Sequence, residues 1–178
     1  MASIGNYALS FAILAGLFAA VAGFVGMLRA SRWALAAFTA LLTVASGVLL
    51  AALLGENFRF EYVANYTEQA LPVGYKLAAF WAGQAGSLLL WAWLIGVMGV
   101  IYVIASRRQR GIEASVTVGV IALVGAFFAA LMLFAQEADG SYAANPFEVQ
   151  APAPVDGHGL NPLLQDPGMI AHPPTLFV

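Results

Sequence analysis

Four long stretches without a charged side chain dominate the hydrophobic pattern of this chain. They cover about residues 7–28, 33–54, 87–106 and 114–135. A helix rises about 1.5 Å per residue, so about 20 apolar residues suffice to cross a hydrocarbon core about 30 Å thick. The pattern therefore predicts an all-α, polytopic membrane protein with four transmembrane helices.

Composition supports this prediction and removes several kinds of chemistry. The chain is 62% hydrophobic and 9% charged, and its mean hydropathy is +0.85, far from the values of soluble globular domains. It has no cysteine, which excludes disulfides, thiolate metal sites and a thiol nucleophile. No Lys or Arg precedes Arg29, whereas a signal peptide begins with a positive region, so we expect the first stretch to be a retained helix.

Residues 55–86, between the second and third spans, are predicted to form a loop with a short helix on the membrane surface. The uncharged run 77–106 would make a helix of about 45 Å, which is too long for the hydrocarbon core. It divides best at "WAGQAGS", where two glycines weaken a helix. We therefore expect a short helix from Pro72 to about Phe80 and a membrane span that begins near Ser87.

The first part of this loop, "GENFRFEYVANYTEQALPVGYK", alternates apolar and polar positions around Phe58, Phe60 and Tyr62. Alternation is typical of a short extended stretch, but aromatic side chains at this spacing equally suit the membrane surface. The sequence leaves both interpretations open.

The charged residues divide between the two ends of the predicted bundle. Five of the seven basic residues lie in or near two short connections: Arg29, Arg32, Arg107, Arg108 and Arg110. By the positive-inside rule these connections are cytoplasmic, so the N-terminus and the C-terminus are both expected in the periplasm. Of the nine acidic residues only Glu113 falls on the predicted cytoplasmic side. We therefore predict a multi-pass protein of the bacterial inner membrane whose functional face is periplasmic.

Residues 136–178 form a second region, which contains seven of the eight prolines. A segment rich in proline and glycine folds only against another surface. We predict a four-helix transmembrane region at 1–135, followed by a periplasmic segment that leads to a His-Pro-Pro motif.

Two histidines are the main candidates for chemistry. His158 is flanked by glycines, which favours a solvated loop residue. His172 lies in "DPGMIAHPP", where the following proline restricts its backbone to extended geometry. An imidazole held in this way suits an axial haem ligand, but the same motif also suits the entrance to a helix. The residues alone do not decide between these two interpretations.

Other reactive patterns are missing from the sequence. It contains no HExxH, Walker loop or GxSxG motif, and the predicted spans carry no ionisable residue, which argues against a proton or ion pathway in this segment alone. The block "WAGQAGSLLLWAW" has two interpretations. Trp81, Trp91 and Trp93 suit an aromatic belt at the membrane surface, or, with Gly83 and Gly86 as points of close approach, the walls of a site for a flat ligand.

Two sequence blocks together resemble a known family. "FEYVANYTEQALPVGYKLAAFWAGQAGSLLLW" and "LNPLLQDPGMIAHPPTLF" are similar to the N-terminal part of the CcmF-type haem lyases of bacterial cytochrome c maturation. The resemblance implies that haem b is held transiently at the periplasmic membrane face and attached to the Cys-x-x-Cys-His motif of apocytochrome c. It also implies three partners: the haem chaperone CcmE, apocytochrome c with its thiol-handling proteins, and the remaining C-terminal portion of the lyase.

The resemblance assigns roles to particular residues. It makes His172 one of two axial ligands to the haem iron, and it assigns no catalytic residue. Around this ligand, the motif residues expected to shape the site are Trp81, Gly83, Gly86, Ser87, Trp91, Asp166, Pro167, Pro173 and Pro174.

This sequence departs from the family pattern in two ways. Ala85 stands where the family usually has a glutamate, and the tryptophan-rich region and second histidine ligand of the family have no counterpart here. We therefore expect an N-terminal portion or a split subunit that does not attach haem alone. The alternatives are a scaffold subunit of a membrane transporter or energy-converting complex without haem, and a truncated product without activity.

Overall fold

The computed structural model describes residues 1–135, 144–168, 170 and 175 of the chain. Within these residues the secondary structure is helical, and no strand forms beyond a single β-bridge between Phe60 and Val149. The helices are α1 (Ala2–Phe24), α2 (Leu28–Leu54), α3 (Glu61–Tyr66), α4 (Val73–Ala78), α5 (Gln84–Ala105) and α6 (Ile112–Phe134), with 3₁₀ turns at Ala79–Trp81 and Pro162–Leu164.

The four long helices pack as a ring in which α1 and α5 each contact both α2 and α6. Phe38 of α2 lies at its centre and is fully buried. Its ring packs against Gly16, Gly96 and Gly125, one glycine from each of the other three long helices. Small residues let helix backbones approach closely in a membrane, so one large aromatic ring fills the space that they leave.

All four long helices are long and apolar enough to cross a membrane, which confirms the predicted fold class. Their ends differ from the expected bounds, most clearly between α1 and α2. Only three residues connect these helices, because Gly26 adopts a positive φ of 82° that reverses the chain tightly. Arg29 and Arg32, which were expected in a loop, therefore lie in the first turns of α2.

A cap covers the end of the bundle where α1 and α5 begin. We define the cap as residues 55–83 together with the tail, residues 144–168. The tail begins on α1, where Asn145 Nδ2 donates to Asn6 Oδ1 at 3.0 Å and the Phe147 ring lies over Gly5. The tail therefore folds against the rest of the chain, as its composition predicts.

The aromatic residues at the start of the cap are buried, and the extended interpretation holds at Phe60, whose backbone pairs with Val149. Phe58, Phe60 and Tyr62 are all less than 8% exposed, and Tyr62 belongs to α3. The reason is that the tail returns and lies along this segment: Glu61 N donates to Glu148 O at 3.0 Å, and Gln150 N donates to Arg59 O at 2.9 Å. The aromatic side chains are buried inside the cap instead of facing lipid.

Candidate functional site

The candidate site is built around the helix break that joins α4 to α5. The chain passes from α4 through the 3₁₀ turn to Gly83, which has an extended backbone (φ −112°, ψ 168°) and caps the N-terminus of α5. A break of this kind leaves backbone groups without helical partners. The break can be buried only if these N–H and C=O groups find other hydrogen-bond partners.

Tyr62 supplies these missing partners. Its hydroxyl accepts a hydrogen bond from Gly83 N at 3.0 Å and donates to Ala79 O at 2.9 Å, with Phe80 O 3.2 Å away. Burial raises the pKa of this hydroxyl well above its usual range. The neutral phenol therefore keeps its proton and can act as donor and acceptor at once.

Gly83 and Gly86, predicted as points of close approach, do lie at points of close approach, and tyrosines of the same chain fill the space. A Cβ on Gly83 would overlap the Tyr66 ring, and a Cβ on Gly86 would overlap both Phe80 O and the Tyr62 hydroxyl. The rings of Tyr62 and Tyr66 pack with centroids 4.6 Å apart. Both glycines therefore allow the cap to pack tightly on the start of α5.

Ser87 and the two tryptophans extend this packing. Ser87 Oγ donates a hydrogen bond to Trp81 O at 2.8 Å. Side-chain hydroxyl groups therefore donate to the carbonyls at both ends of the 3₁₀ turn. Trp91 packs edge to face on Phe128 of α6, with centroids 5.2 Å apart. Ala85, where the family resemblance led us to expect a glutamate, is only 5% exposed, so a carboxylate at this position would be desolvated.

An ion pair that the sequence gave no reason to expect fixes the loop of the cap. Lys76 is 6% exposed, and its Nζ lies 2.6 Å from Glu56 Oε1 and 3.2 Å from Gln69 O. Glu56 has a positive φ of 53°, which is rare for a residue with a side chain. The pair joins the two ends of the segment 56–76 and so closes the loop on itself.

The tail is fastened to this loop by backbone groups. His158 N donates to Ala64 O at 2.7 Å, and Gly159 N donates to Thr67 O at 3.2 Å. Asp156 Oδ1 accepts from Gln69 N at 2.9 Å. The His158 side chain is exposed, as predicted, with Nδ1 3.2 Å from Asn65 Oδ1, but its backbone is held in place.

The predicted residues of the second block lie beside α4. Tyr75 of α4 donates from its hydroxyl to Gln165 O at 3.0 Å. The turn that follows has Asp166 Oδ1 accepting from Gly168 N at 2.7 Å, and both Asp166 and Pro167 are exposed. His172, Pro173 and Pro174 lie outside the described residues. The cap therefore holds residues 60–83 of the first block and 160–168 of the second, and Tyr75 of α4 connects them.

Sequence interpretation missed Tyr62, Tyr66 and the pair of Lys76 with Glu56. One signal could have found the tyrosines: Phe58, Tyr62 and Tyr66 recur every four residues, which is a helical spacing and not an alternating one. For the ion pair there is no comparable signal, because both residues are of a type that is usually solvated.

A haem site would need donors that the described part of the chain supplies only incompletely. No group of three His, Cys, Asp or Glu side chains comes together there as a metal site. The donor chemistry of a neutral imidazole fits haem iron, so the sequence offers one suitable ligand in His172.

Comparisons with known proteins decide the family. The family described as "Cytochrome C assembly protein" matches residues 81–178, more than half of the chain. The chain belongs to this family. Over 188 residues it is 36% identical to the cytochrome c-type biogenesis protein CcmF of Escherichia coli K12, an alignment that covers 100% of this chain and 28% of that protein.

Two further relatives agree. CcmF of Haemophilus influenzae is 31% identical over 186 residues, covering 100% of this chain and 28% of the relative. A solved structure of the cytochrome c haem lyase CcmF superposes with a TM-score of 0.64 and 27% identity, covering 83% of this chain and 24% of that one. The resemblance is thereby confirmed. The chain spans less than a third of the length of these relatives.

Proposed function

We propose that this chain provides the N-terminal part of a haem-attachment site in cytochrome c biogenesis, with His172 as one axial ligand of haem. The observation that carries the proposal is the fastening of the tail: the described parts of both sequence blocks, residues 60–83 and 160–168, are held on one cap. Membership of the cytochrome c assembly family supports the same role.

The position of His172 along the chain supports its role. Tyr75 holds Gln165, and the Ile170 side chain lies beside Gly74 of α4. Consecutive Cα atoms are about 3.8 Å apart, so the Cα of His172, two residues further on, can be no more than about 8 Å from that of Ile170. A ligand tethered this closely to a packed cap loses little freedom on binding, which favours a defined orientation.

The residues of the chain contribute positioning and not reactive groups. Haem, when bound, supplies vinyl groups, and each substrate thiol adds across one vinyl double bond, its sulfur to one carbon and its hydrogen to the other. The motif residues of the helix break, Trp81, Gly83, Gly86, Ser87 and Trp91, support the cap. Asp166 and Pro167, with Pro173 and Pro174, restrict the backbone around the ligand.

The distribution of charge supports a periplasmic cap. Arg32 Nη2 donates to Ser106 O at 2.9 Å, so the arginine-bearing ends of α2 and α5 lie together, opposite the cap. Basic residues favour the cytoplasmic side, which would place the cap where apocytochrome c and the chaperone CcmE are expected. A second axial ligand and the tryptophan-rich region would come from the remaining C-terminal portion of the lyase.

The test is haem retention in the full protein, purified from membranes with any polypeptides that accompany it. We expect His172→Ala to lose the low-spin absorption bands of a bis-histidine haem. His158→Ala is the matched control, because His158 is exposed and its backbone anchor does not need the imidazole. Unchanged low-spin bands in His172→Ala, or an equal loss in both variants, would contradict the proposal.

A further inference from the structure

A cavity of about 690 Å³ lies between α2 and α5, at the end of the bundle opposite the cap. Its walls are of two kinds. The apolar wall contains Leu28, Trp33, Ala36, Val100, Val103 and Ile104, and the charged end contains Arg29, Arg32, Arg107 and Arg110. A second, more open cavity of about 570 Å³ continues around Trp33. Four cations thus meet at the end of an apolar groove on the outer face of the bundle.

Most of these positive charges have no acidic partner in the described part of the chain. Within the described part of the chain, Arg29, Arg107 and Arg110 have no carboxylate within ion-pair distance. Arg32 makes hydrogen bonds but no ion pair there. Its Nη2 donates to Ser106 O and to Gln109 O, while its buried Nε has no hydrogen-bond partner. Arg32 therefore ties the two helix ends together and keeps its charge in the cavity.

The two walls together define the chemistry of the occupant. Guanidinium groups form strong, often paired hydrogen bonds with phosphate oxygens. The apolar wall suits an acyl chain, and Trp33, which is 71% exposed, is a residue type that prefers the headgroup level of a bilayer. Basic pockets between transmembrane helices are known to take anionic lipid headgroups.

We propose that this cavity is a binding site for one anionic glycerophospholipid, with its phosphate among the four arginines and an acyl chain along Trp33 and Ile104. Arginines that only determined the membrane topology would not need to line one cavity together. Arg108 belongs to the same basic run as Arg107 and Arg110 but does not line the cavity. It therefore provides a matched control with the same change of charge.

The experiment uses the full protein, extracted from membranes in mild detergent with its accompanying polypeptides and analysed by native mass spectrometry. Phosphatidylglycerol and phosphatidylcholine with identical acyl chains are added in turn. We expect one phosphatidylglycerol to be retained in clear preference to phosphatidylcholine. Arg107→Gln and Arg110→Gln should each weaken retention about five-fold, and Arg108→Gln should leave it unchanged.

Three results would overturn the proposal. Equal retention of the two lipids would remove the role of the headgroup charge. A loss in Arg108→Gln as large as that in Arg107→Gln would show general attraction to a basic surface. Displacement of phosphatidylglycerol by excess inorganic phosphate would identify a site for free phosphate. The exposed positions of Arg107, Arg108 and Arg110 make all three variants compatible with the fold.

Discussion

The hydroxyl of Tyr62 accepts a hydrogen bond from the backbone N–H of Gly83 at 3.0 Å and joins a short helix of the cap to the start of a transmembrane helix. The same hydroxyl donates to the 3₁₀ turn that precedes Gly83. One side chain therefore satisfies a helix break on both sides. The stability of the cap should depend more on the hydroxyl group of Tyr62 than on the size of its ring.

Replacing Tyr62 by phenylalanine should weaken the cap. The change leaves Gly83 N and Ala79 O without a side-chain partner in a buried place, at a cost of about 1–3 kcal/mol. We expect faster amide hydrogen exchange at Gly83 and earlier proteolysis of residues 55–83. Tyr66→Phe is the control, because the Tyr66 hydroxyl has no hydrogen-bond partner among the described residues; equal effects of the two changes would contradict the assignment.

The same phenol should make the cap sensitive to alkaline pH. Its pKa is raised by burial in the folded state, so the folded protein keeps a proton that the unfolded chain loses near pH 10. This contribution to stability is complete below pH 10 and declines as the pH rises above that value. Tyr62→Phe should flatten the decline in thermal stability above pH 10, as measured by melting curves across that pH range.

Gly86→Ala should damage the cap, and Gly47→Ala should not. A Cβ at Gly86 would overlap the Phe80 carbonyl and the Tyr62 hydroxyl, whereas a Cβ at Gly47 meets nothing within 4 Å. Both residues lie within long helices, so the helical preference for alanine, about 1 kcal/mol, is common to the two changes. Melting temperatures in detergent should fall for Gly86→Ala and hold or rise for Gly47→Ala.

Lys76→Met should loosen the loop of the cap. Glu56 Oε1 and Gln69 O would both lose their donor, and the half-exposed Glu56 carboxylate would lose the cation that holds it against the loop. Arg59→Met removes the same charge from an exposed position of the same loop. Hydrogen exchange at residues 56–76 should rise in the first variant only; protection that survives Lys76→Met would show that the ion pair is dispensable.

Gly157→Ala should detach the tail and, through it, weaken haem retention. A Cβ there would overlap the Thr67 carbonyl and break the bond from His158 N to Ala64 O. Gly74→Ala is a mild control, since its nearest neighbour is Ile170 Cδ1 at 3.9 Å. Loss of tail protection with unchanged haem bands would mean that the tail does not position His172.

The sequence could predict the membrane region because each span is determined by its own residues. An uncharged run of about 20 residues has few alternatives to a membrane helix, and the break at "WAGQAGS" follows from glycines within one short segment. The cap is different in kind. Its aromatic residues are buried by a tail about 90 residues away, as the bond from Gln150 Nε2 to Phe58 O shows, and local periodicity carries no information on such pairing.

The candidate site, too, could be predicted from the sequence only in part. Gly83, Gly86 and Ser87 and the helix break at which they lie were identified from the motif, whereas their packing against the cap was not, because it depends on where Tyr62 lies. Within the sequence, only the family resemblance pointed to His172 as a haem ligand.

The cap consists of two segments that are far apart in the sequence, so its parts are synthesised in a fixed order. Residues 55–83 leave the ribosome before α5 and α6, but their covering residues follow both helices. Synthesis proceeds from the N-terminus, so the cap can close only after the second helical hairpin has been made. A ligand beyond residue 168 would then be made after all four helices of the bundle, and the arrangement itself would delay its use until the bundle beneath the cap is complete.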